Sequence, residues 1–353
     1  MSIHKKRVQI DKIDDDILKI INKRAKLVQD IARIKHDKKG KFYVPSREHN
    51  IYKRLKKNNK GPLSQKAVNA IFREIMSASL ALENPLLISF MGPPASFTHL
   101  AAQEKFGSSL DYVEEKTITD VFDSVEKSRS DYGVVPIENS TEGTVTHTLD
   151  MFIESDLRIC SELLFQIEHN LLSKYPLKQL KRIYSNPQVF GQCRLWLEAH
   201  CPGVELIEST STTQAAQIAS KEAKSAAIAS RLAARQYKLP ILKATIQDKV
   251  DNVTRFLVIG KQEVDPTGHD KTSILFSVKD RVGVLHSMLA PFRKAKINLT
   301  KIESRPTRKK KWEYVFFVDF IGHEKDRSIQ RALRELEKSC LMLKILGSYP
   351  TTT

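Results

Sequence analysis

The stretch Asn252-Val253-Thr254-Arg255-Phe256 places a hydroxyl and a guanidinium side by side, immediately ahead of a short apolar run at 257–259 that we predict to be a strand. An Arg guanidinium can bind a carboxylate with two hydrogen bonds, and a neighbouring Thr hydroxyl can donate a neutral hydrogen bond to the same small acid. The pairing indicates a small anionic substrate. A five-residue pattern is weak evidence alone, so its meaning depends on the sequence before and after it.

The length and composition indicate a soluble protein of several domains. At 353 residues the chain is too long for one ordinary hydrophobic core, so two or three domains are expected. Hydrophobic residues make up 41% and charged residues 28%, which is typical of globular proteins. No apolar run is long enough to span a bilayer, and residues 1–7 lead into charged sequence and not into an apolar signal segment. We therefore expect a cytoplasmic protein without membrane contact.

The cysteines do not have the spacing of metal ligands. Cys160, Cys193, Cys201 and Cys340 are scattered along the chain, and we predict that they are reduced and structural. Cys193 and Cys201 lie close to His200, but no fourth ligand is spaced to complete a zinc site. The sequence therefore predicts no metal.

The positive charge is concentrated in the N-terminal quarter. The whole chain has a formal charge of +17, and residues 1–85 carry 21 Lys and Arg against 9 Asp and Glu. Composition leaves three explanations open: nucleic acid, an acidic small substrate, or a solvated basic surface.

A long amphipathic helix is predicted from Arg7 to about His36, without Gly or Pro. Its apolar stripe recurs at three- and four-residue spacing: Ile10, Ile13, Ile17, Ile20, Ile21, Leu27, Val28, Ile31 and Ile34. Arg24 and Lys35 fall on the same stripe, where a cation is costly unless a partner neutralises it. Either their long side chains snorkel to the helix edge, or they form an internal anion site together with Arg7 and Arg47.

Two shorter helices come next, one from about residue 47 to 57 and one that starts at Gly61-Pro62-Leu63-Ser64 and ends near residue 84. The first helix, at about 30 residues, is roughly 45 Å long. The two shorter helices cannot cover its stripe. A dimer that shares the first helix between subunits would bury it.

From residue 86 the periodicity changes to short strands that alternate with helices. Runs at 86–91, 132–137, 183–184 and 204–207 each lead into a polar turn. Ser96 is placed to cap a helix that begins near Phe97, and the run Ser209-Thr210-Ser211-Thr212-Thr213 is placed to cap the Ala-rich helix from Gln214. This order predicts open α/β layers with a ligand at the carboxyl ends of the strands. Residues 260–272 are interpreted as a linker, and the order of strands and helices after it is βαββαβ. The basic stretch 305–311 is interpreted as a solvated hairpin loop.

Particular residues carry a family resemblance. Arg7, Arg24, Lys35, the segment Pro45-Ser46-Arg47-Glu48 and the stretch from Ile75 to Glu83 resemble the all-helical chorismate mutase domain. The chain from residue 86 onward resembles prephenate dehydratase and then an ACT domain. Over nearly its full length the chain is similar to the family of bifunctional chorismate mutase/prephenate dehydratases.

The resemblance implies three domains. These are a helical mutase domain at 1–85, a two-lobed α/β dehydratase domain at 86–262 that is like the periplasmic binding proteins, and an α+β ACT regulatory domain at 272–350. It also implies the substrates chorismate and prephenate, the effector L-phenylalanine, no cofactor, and a homodimer or higher homo-oligomer.

For the mutase, the resemblance implies a set of site residues: Arg7 from the partner subunit, Arg24, Lys35, Arg47, Glu48, Ser79 and Glu83. The Arg residues bind the anionic groups of the substrate, Lys35 and Glu83 contact its ether oxygen, and Glu48 binds its ring hydroxyl. Glu83 stands where other relatives have Gln, and an ionised carboxylate cannot donate a hydrogen bond. We therefore expect mutase turnover to fall as Glu83 ionises. Val44 replaces an Asp of many relatives, so loss of the mutase activity is an open alternative.

For the dehydratase, the resemblance implies that five residues line the cleft: Asn139, Ser185, Gln192, Thr254 and Arg255. We expect Thr254 to assist the departing hydroxyl of prephenate, and Arg255 to support the carboxylate site or the loop geometry. Turn and cap chemistry is the alternative for Ser185 and Gln192.

The segments 280–286 and 303–306 resemble the amino-acid-binding motifs of ACT domains. The resemblance implies that phenylalanine binds between two ACT domains and inhibits the dehydratase, through Gly283, Val284, Leu285, Glu303, Ser304, Arg305 and Pro306. A pure dimerisation module is the alternative.

A regulator of a different class is the main competing hypothesis, in which the basic N-terminus binds nucleic acid and the ACT domain senses phenylalanine. The sequence has no helix-turn-helix signature, and the first helix carries cations on its apolar stripe, where DNA does not reach. We therefore expect an enzyme that does not bind nucleic acid.

Overall fold

The computed structural model describes residues 2–37, 41–249, 251–279, 281–306 and 313–352. It contains two compact units. The helical unit comprises residues 1–87 with 105–111, and the mixed unit comprises residues 88–104 with 112–353. Within the described ranges, no helix combines the length and the apolar character needed to cross a bilayer.

The helical unit contains the three predicted helices: α1 (Ile3–Asp37), α2 (Pro45–Asn58) and α3 (Gln65–Glu83). Pro45 begins α2, where its fixed φ suits the first helical position. Ser64 caps α3, because its hydroxyl accepts a hydrogen bond from the backbone N–H of Ala67 at 3.2 Å. The start signal predicted at 61–64 is confirmed.

The described residues of this chain leave most of the apolar stripe of α1 exposed. Val28 and Ala32 are buried, whereas Ile13 is 57% exposed and Ile34 is 55% exposed. The prediction that the two shorter helices cannot bury this stripe is confirmed.

Residues 87–260 alternate between strands and helices: β1 (Leu87–Met91), α4 (Phe97–Phe106), β2 (Asp111–Glu115), α5 (Ile118–Glu126), β3 (Tyr132–Asn139), β4 (Gly143–Thr144), α6 (Thr146–Glu154), β5 (Arg158–Gln166), β6 (Asn170–Leu172), β7 (Arg182–Ser185), α7 (Pro187–Gln192), α8 (Arg194–His200), β8 (Glu205–Glu208), α9 (Thr212–Lys221), β9 (Ser225–Ala229), α10 (Arg231–Gln236), β10 (Ile241–Lys243) and β11 (Val253–Gly260). The predicted caps are present. Ser96 accepts from the N–H of His99 at 3.3 Å, and Ser211 accepts from the N–H of Gln214 at 3.0 Å.

These strands form two sheets, which are the cores of two lobes. The first sheet has the order β2-β1-β3-β11-β5, with β4 paired to β3, and the second has the order β10-β6-β9-β7-β8. The chain enters the second lobe after β5 and returns to the first with β11. The predicted two-lobed α/β fold is confirmed.

Strand β11 is longer than predicted. It begins at Val253 instead of residue 257, because β3 and β5 pair with it on both sides and satisfy its backbone from its first residues onward. Thr254 and Arg255 therefore lie inside a strand and not ahead of one. Their side chains point to opposite faces of the sheet.

The C-terminal part of the mixed unit has the predicted βαββαβ order: β12 (Asp270–Lys279), α11 (Val284–Lys294), β13 (Leu299–Pro306), β14 (Glu313–Ile321), α12 (Arg327–Glu337) and β15 (Met342–Pro350). The sheet order is β13-β14-β12-β15, with antiparallel pairs throughout. Phe276, Phe292 and Phe320 fill the core between this sheet and its two helices. Strand β12 begins inside the predicted linker. Asp280 of the first ACT motif and residues 307–311 of the predicted hairpin loop lie outside the described residues.

Candidate active sites

The helical unit encloses a cavity of about 470 Å³. All three of its helices contribute charged or hydroxyl side chains to the wall. Six of the seven predicted mutase residues line it: Arg24, Lys35, Arg47, Glu48, Ser79 and Glu83.

Arg24 and Lys35 are directed inward from α1. Arg24 Nη1 donates to Ser79 Oγ, and that hydroxyl in turn donates to the carbonyl of Ile75 at 2.7 Å. Lys35 Nζ lies 2.6 Å from Glu83 Oε2, and these side chains are only 23% and 11% exposed. Neither cation snorkels to the helix edge. This geometry favours the internal anion site over the snorkelling alternative.

The electrostatics of the cavity also favour an anion. Burial lowers the pKa of Arg24, Glu83 opposes this effect, and Arg47 and Arg54 add to it. Among the lining residues, five cations face two carboxylates: Arg24, Lys35, Arg47, Arg73 and Lys105 against Glu48 and Glu83. The formal excess of positive charge suits a compact dianion.

Arg7 is the predicted mutase residue that does not line the cavity. It is exposed on α1, and its position 17 residues before Arg24 puts it roughly 25 Å away along the helix. The chain therefore does not bring Arg7 to its own cavity.

The mixed unit contains a larger cleft, of about 950 Å³, between its two lobes. Its walls come mainly from the turns that follow β1, β3, β7 and β8 and from the beginning of β11, as predicted for the ligand site of an open α/β sheet. Three of the five predicted cleft residues line it, namely Asn139, Gln192 and Thr254.

Backbone amides fix the direction of a hydrogen-bond chain that ends on Thr254. The N–H groups of Thr141 and Glu142 donate to Asn139 Oδ1 at 2.9 and 3.0 Å, which identifies the other side-chain atom as the amide nitrogen. That nitrogen donates to Thr254 Oγ1 and to Asn252 Oδ1, each at 2.8 Å. Because Thr254 Oγ1 accepts from Asn139, its own proton is left to donate into the cleft.

From Asn252, which accepts from Asn139, further hydrogen bonds run across the cleft to His169. Asn252 Nδ2 donates to Gln192 Oε1 at 2.8 Å, and His169 Nε2 lies 2.8 Å from the same oxygen. Gln192 Nε2 donates to Glu142 Oε1 at 2.9 Å, so Oε1 of Gln192 is the acceptor and His169 must carry its proton on Nε2. Burial lowers the pKa of His169, and the bond to Gln192 acts in the opposite direction. The imidazole is therefore neutral near pH 7.

His169 and Asn252 were not among the predicted site residues. His169 is 2% exposed, and its Nδ1 is buried without a hydrogen-bond partner among the described residues. Asn252 is also 2% exposed. Asn252 belongs to the stretch that the sequence singled out, and its position at the start of β11 was the available signal. His169 precedes a short apolar strand without any motif around it.

The structure does not place Ser185 and Arg255 in the cleft. Ser185 is fully buried, and its hydroxyl donates to the carbonyl of Ile228 at 3.0 Å, which ties β7 to β9. This bond joins two neighbouring strands, so it is neither the predicted cleft role nor the turn and cap chemistry that was the alternative. Arg255 points to the face of β11 opposite Thr254, because successive residues of a strand alternate.

Arg255 is instead the centre of a buried ionic cluster. Its Nε lies 2.8 Å from Glu162 Oε2, its Nη1 lies 2.6 Å from Asp319 Oδ2, and its Nη2 donates to the Tyr349 hydroxyl at 2.9 Å. Burial by itself lowers the pKa of Arg255, but Tyr349, Asp319 and Glu162 outweigh it and raise the pKa above its usual value. The guanidinium joins the first sheet to the C-terminal sheet.

The described residues of the two predicted ACT motifs line neither the cavity of the helical unit nor the cleft of the mixed unit. Gly283 has φ +74° at the turn before α11, a left-handed conformation that favours glycine, and Leu285 on that helix is 37% exposed. Glu303 accepts from Thr144 Oγ1 at 3.0 Å, and the neighbouring predicted residues Ser304 and Pro306 are exposed. Arg305 Nη2 lies 2.9 Å from Asp150 Oδ1, and Val284 is half-buried.

The cysteines have free thiols, as predicted. Burial raises the pKa of Cys193 to about 12, with a further contribution from Asp248, so this thiol is not a ready metal ligand. Within the described ranges, no group of three or more His, Cys, Asp or Glu side chains is arranged to hold a metal ion.

Three family models match successive parts of the chain. They are Chorismate mutase type II at residues 6–84, Prephenate dehydratase at residues 88–264 and ACT domain at residues 272–338. The bifunctional chorismate mutase/prephenate dehydratase of Aquifex aeolicus is 48% identical over 349 residues, which cover 98% of this chain and 96% of that protein.

Two solved structures are similar to the dehydratase and ACT parts. A prephenate dehydratase from Arthrobacter aurescens, in complex with L-Phe, has a TM-score of 0.70 at 32% identity and covers 75% of this chain and 90% of its own. A protein described as a novel type of quorum quenching acylase has the same TM-score at 27% identity, with coverage of 75% and 98%. The full-length relative and the three matching models decide the family: this chain belongs to the bifunctional chorismate mutase/prephenate dehydratases.

Proposed function

We propose that the chain catalyses two consecutive reactions of L-phenylalanine biosynthesis. Residues 1–85 rearrange chorismate to prephenate, residues 86–262 convert prephenate to phenylpyruvate, and residues 272–350 regulate the second reaction. The observation that carries the proposal is that the helical unit has a cavity and the mixed unit has a separate cleft, and that the two have different lining residues. Each lies in a part of the chain that the corresponding family model matches.

The mutase reaction needs a folded dianion and donors at one oxygen. The rearrangement breaks the ether C–O bond as a C–C bond forms, within one cyclic movement of electrons, and negative charge grows on the ether oxygen. Arg24 and Arg47 hold the carboxylates, and the ammonium of Lys35 meets the developing charge. Glu83 assists the same oxygen only when it is protonated.

The dehydratase reaction needs a hydrogen-bond donor at the departing hydroxyl. The electron pair of the C–CO₂ bond moves into the ring, the ring becomes aromatic, and the hydroxyl group leaves as water after gaining a proton. The directed proton of Thr254 supports this departure, and Asn139 holds its oxygen in place. Asn252, Gln192 and neutral His169 keep the donor geometry fixed.

L-phenylalanine is the proposed effector. A solved relative of this part of the chain is a complex with L-Phe. Strand β13, which carries the second ACT motif, contacts the end of β3 and the strand β4 that follows it: Lys301 Nζ lies 2.8 Å from Glu138 Oε2, and Glu303 accepts from Thr144. Glu138 precedes Asn139. A structural change caused by phenylalanine at the ACT motif can therefore be transmitted to the cleft through one turn. A coupling of about 1 to 3 kcal/mol would be ordinary.

The proposed assembly is a homodimer, or a higher homo-oligomer, in the cytoplasm. The exposed stripe of α1 supports a shared first helix, and the distance of Arg7 from the cavity of its own chain supports its action across the interface. We propose no cofactor, no nucleic acid partner and no membrane partner.

One experiment tests the proposal as a whole. Purified protein is supplied with chorismate, prephenate and phenylpyruvate are measured separately, and the assay is repeated with L-phenylalanine. We expect both products to form, and phenylalanine to lower the yield of phenylpyruvate but not the rate of chorismate consumption. Unconsumed chorismate would contradict the mutase half, and prephenate that accumulates unchanged would contradict the dehydratase half.

A further inference from the structure

Lys105 lies at the C-terminal end of α4 and lines the cavity of the helical unit, although it belongs to none of the three helices α1, α2 and α3. Its Nζ lies 2.9 Å from Glu48 Oε2, and the Tyr43 hydroxyl donates to the same oxygen at 3.1 Å. The side chains of Lys105 and Glu48 are only 15% and 14% exposed. This ion pair is therefore part of the cavity wall and not a surface contact.

The segment that carries Lys105 is fixed to the helical unit by further contacts. The ring of Phe106 packs against that of Tyr43 with centroids 5.0 Å apart, and Phe106 is 2% exposed. The backbone N–H and the hydroxyl of Ser108 donate to Glu74 Oε2 at 2.9 and 2.6 Å. Residues 105–111 thus group with the helices, although the mutase family model ends at residue 84 and the dehydratase model begins at residue 88.

We propose that Lys105 is a positioning residue of the mutase reaction, which acts through Glu48. Lys105 and Tyr43 both reach Oε2 of Glu48, so Oε1 is left to accept the hydrogen bond of the ring hydroxyl. Without Lys105 a buried carboxylate would face the two carboxylates of the substrate with one cation fewer to offset the repulsion. The mutase site is then incomplete within residues 1–85. This inference rests on the proposed mutase activity.

The test compares Lys105→Met and Lys105→Arg in the full-length protein, with kcat and KM measured for chorismate. Loss of one buried, charge-assisted hydrogen bond predicts a fall in mutase kcat/KM of about 10- to 100-fold for Lys105→Met. Lys105→Arg keeps the charge and should remain within about fivefold of the wild type. Dehydratase activity on added prephenate reports whether each variant is folded, and it should stay unchanged.

A double-mutant cycle with Glu48→Gln separates positioning from a general effect on structure. If Lys105 acts through Glu48, Lys105→Met should change kcat/KM by less than about threefold in the Glu48→Gln background. Lys127→Met is the matched control, because Lys127 is 61% exposed and pairs with Asp123 on the surface of α5. This control should affect neither activity.

Three outcomes would overturn the inference. They are an unchanged mutase in Lys105→Met, an equal loss in the Glu48→Gln background, and a parallel loss of dehydratase activity that Lys105→Arg does not restore. A wild-type protein that leaves chorismate unconsumed would instead remove the mutase proposal itself, so the two failures are distinguishable.

Discussion

The cavity of the helical unit contains a half-buried arginine and the cleft of the mixed unit adjoins a buried one, and the pKa values of these two arginines are shifted in opposite directions. Arg24 contacts a hydroxyl, and burial lowers its pKa. Arg255 contacts Glu162 and Asp319, and these partners raise its pKa despite burial. A buried cation whose charge is not yet matched gains most from an incoming anion. A cation that is already paired stabilises the fold.

The same contrast extends to the rest of the two sites. The cavity presents fixed positive charges, which suit a reaction in which charge grows on one oxygen. The cleft presents a directed chain of amides around Thr254, which suits a reaction in which one hydroxyl must leave. Substitutions in each site can show whether the mutase reaction depends on charge and the dehydratase reaction on the direction of a hydrogen bond.

Thr254 should give the largest effect. Thr254→Ala removes the donor and takes away one of the two acceptors of the Asn139 amide, so dehydratase kcat should fall by about 100- to 1000-fold. The mutase rate, measured on the same sample with chorismate, should not change. Thr254→Ser keeps the hydroxyl and should retain activity within about tenfold. An unimpaired dehydratase in Thr254→Ala would remove Thr254 from the site.

Arg255 should act on stability and not on substrate affinity. Arg255→Met removes the cation paired with buried Asp319 and leaves Glu162 paired with Lys271, and it should lower the free energy of unfolding by about 3 to 5 kcal/mol. Urea titration followed by dehydratase activity measures this loss, and KM for prephenate in the remaining folded protein should be unchanged. Arg158→Met is the control, because Arg158 pairs with Glu324 at 3.0 Å but is 27% exposed. A raised KM with normal stability would return Arg255 to the cleft.

The features that the sequence predicted correctly are those set by residues that lie close together in the chain. The three-and-four spacing of α1, the caps Ser64, Ser96 and Ser211, and the βαββαβ order were all predicted, because each is set by residues close together in the chain. The face of the sheet to which the Arg255 side chain points could also have been predicted from the sequence. A period of two in a strand places Thr254 and Arg255 on opposite faces, but the strand was predicted to begin only after them.

Other features depend on contacts that no local pattern contains. Asn139 meets Thr254 because β3 and β11 are paired in register, with 115 residues between them. Lys105 meets Glu48 across 57 residues. His169 contacts Gln192 across 23 residues and has no motif around it in the sequence. Such pairs are created by the packing of distant elements, so propensity and motif could not identify them.

Glu83 tests whether the mutase cavity works through charge alone. If a protonated Glu83 donates to the ether oxygen beside Lys35, the mutase kcat/KM of the wild type should have a limb that falls with rising pH. Glu83→Gln donates at every pH and should remove this limb. The dehydratase pH profile, measured on both proteins, is the control. Identical mutase profiles would mean that the ammonium of Lys35, 2.6 Å from Glu83, is a sufficient donor.

The smallest effect concerns the neutral histidines of the dehydratase part. Burial lowers the pKa of His99 and of His169, so both bind a proton less readily in the folded protein than in the unfolded chain, where the pKa is about 6.5. Their contribution to stability is present above that pH and declines as the pH falls below it. Between pH 7.5 and 5.5, His169→Gln should reduce the loss of unfolding free energy by about 1 kcal/mol. An equal decline in wild type and His169→Gln would show that His169 binds a proton as readily in the folded protein as in the unfolded chain, which contradicts the lowered pKa.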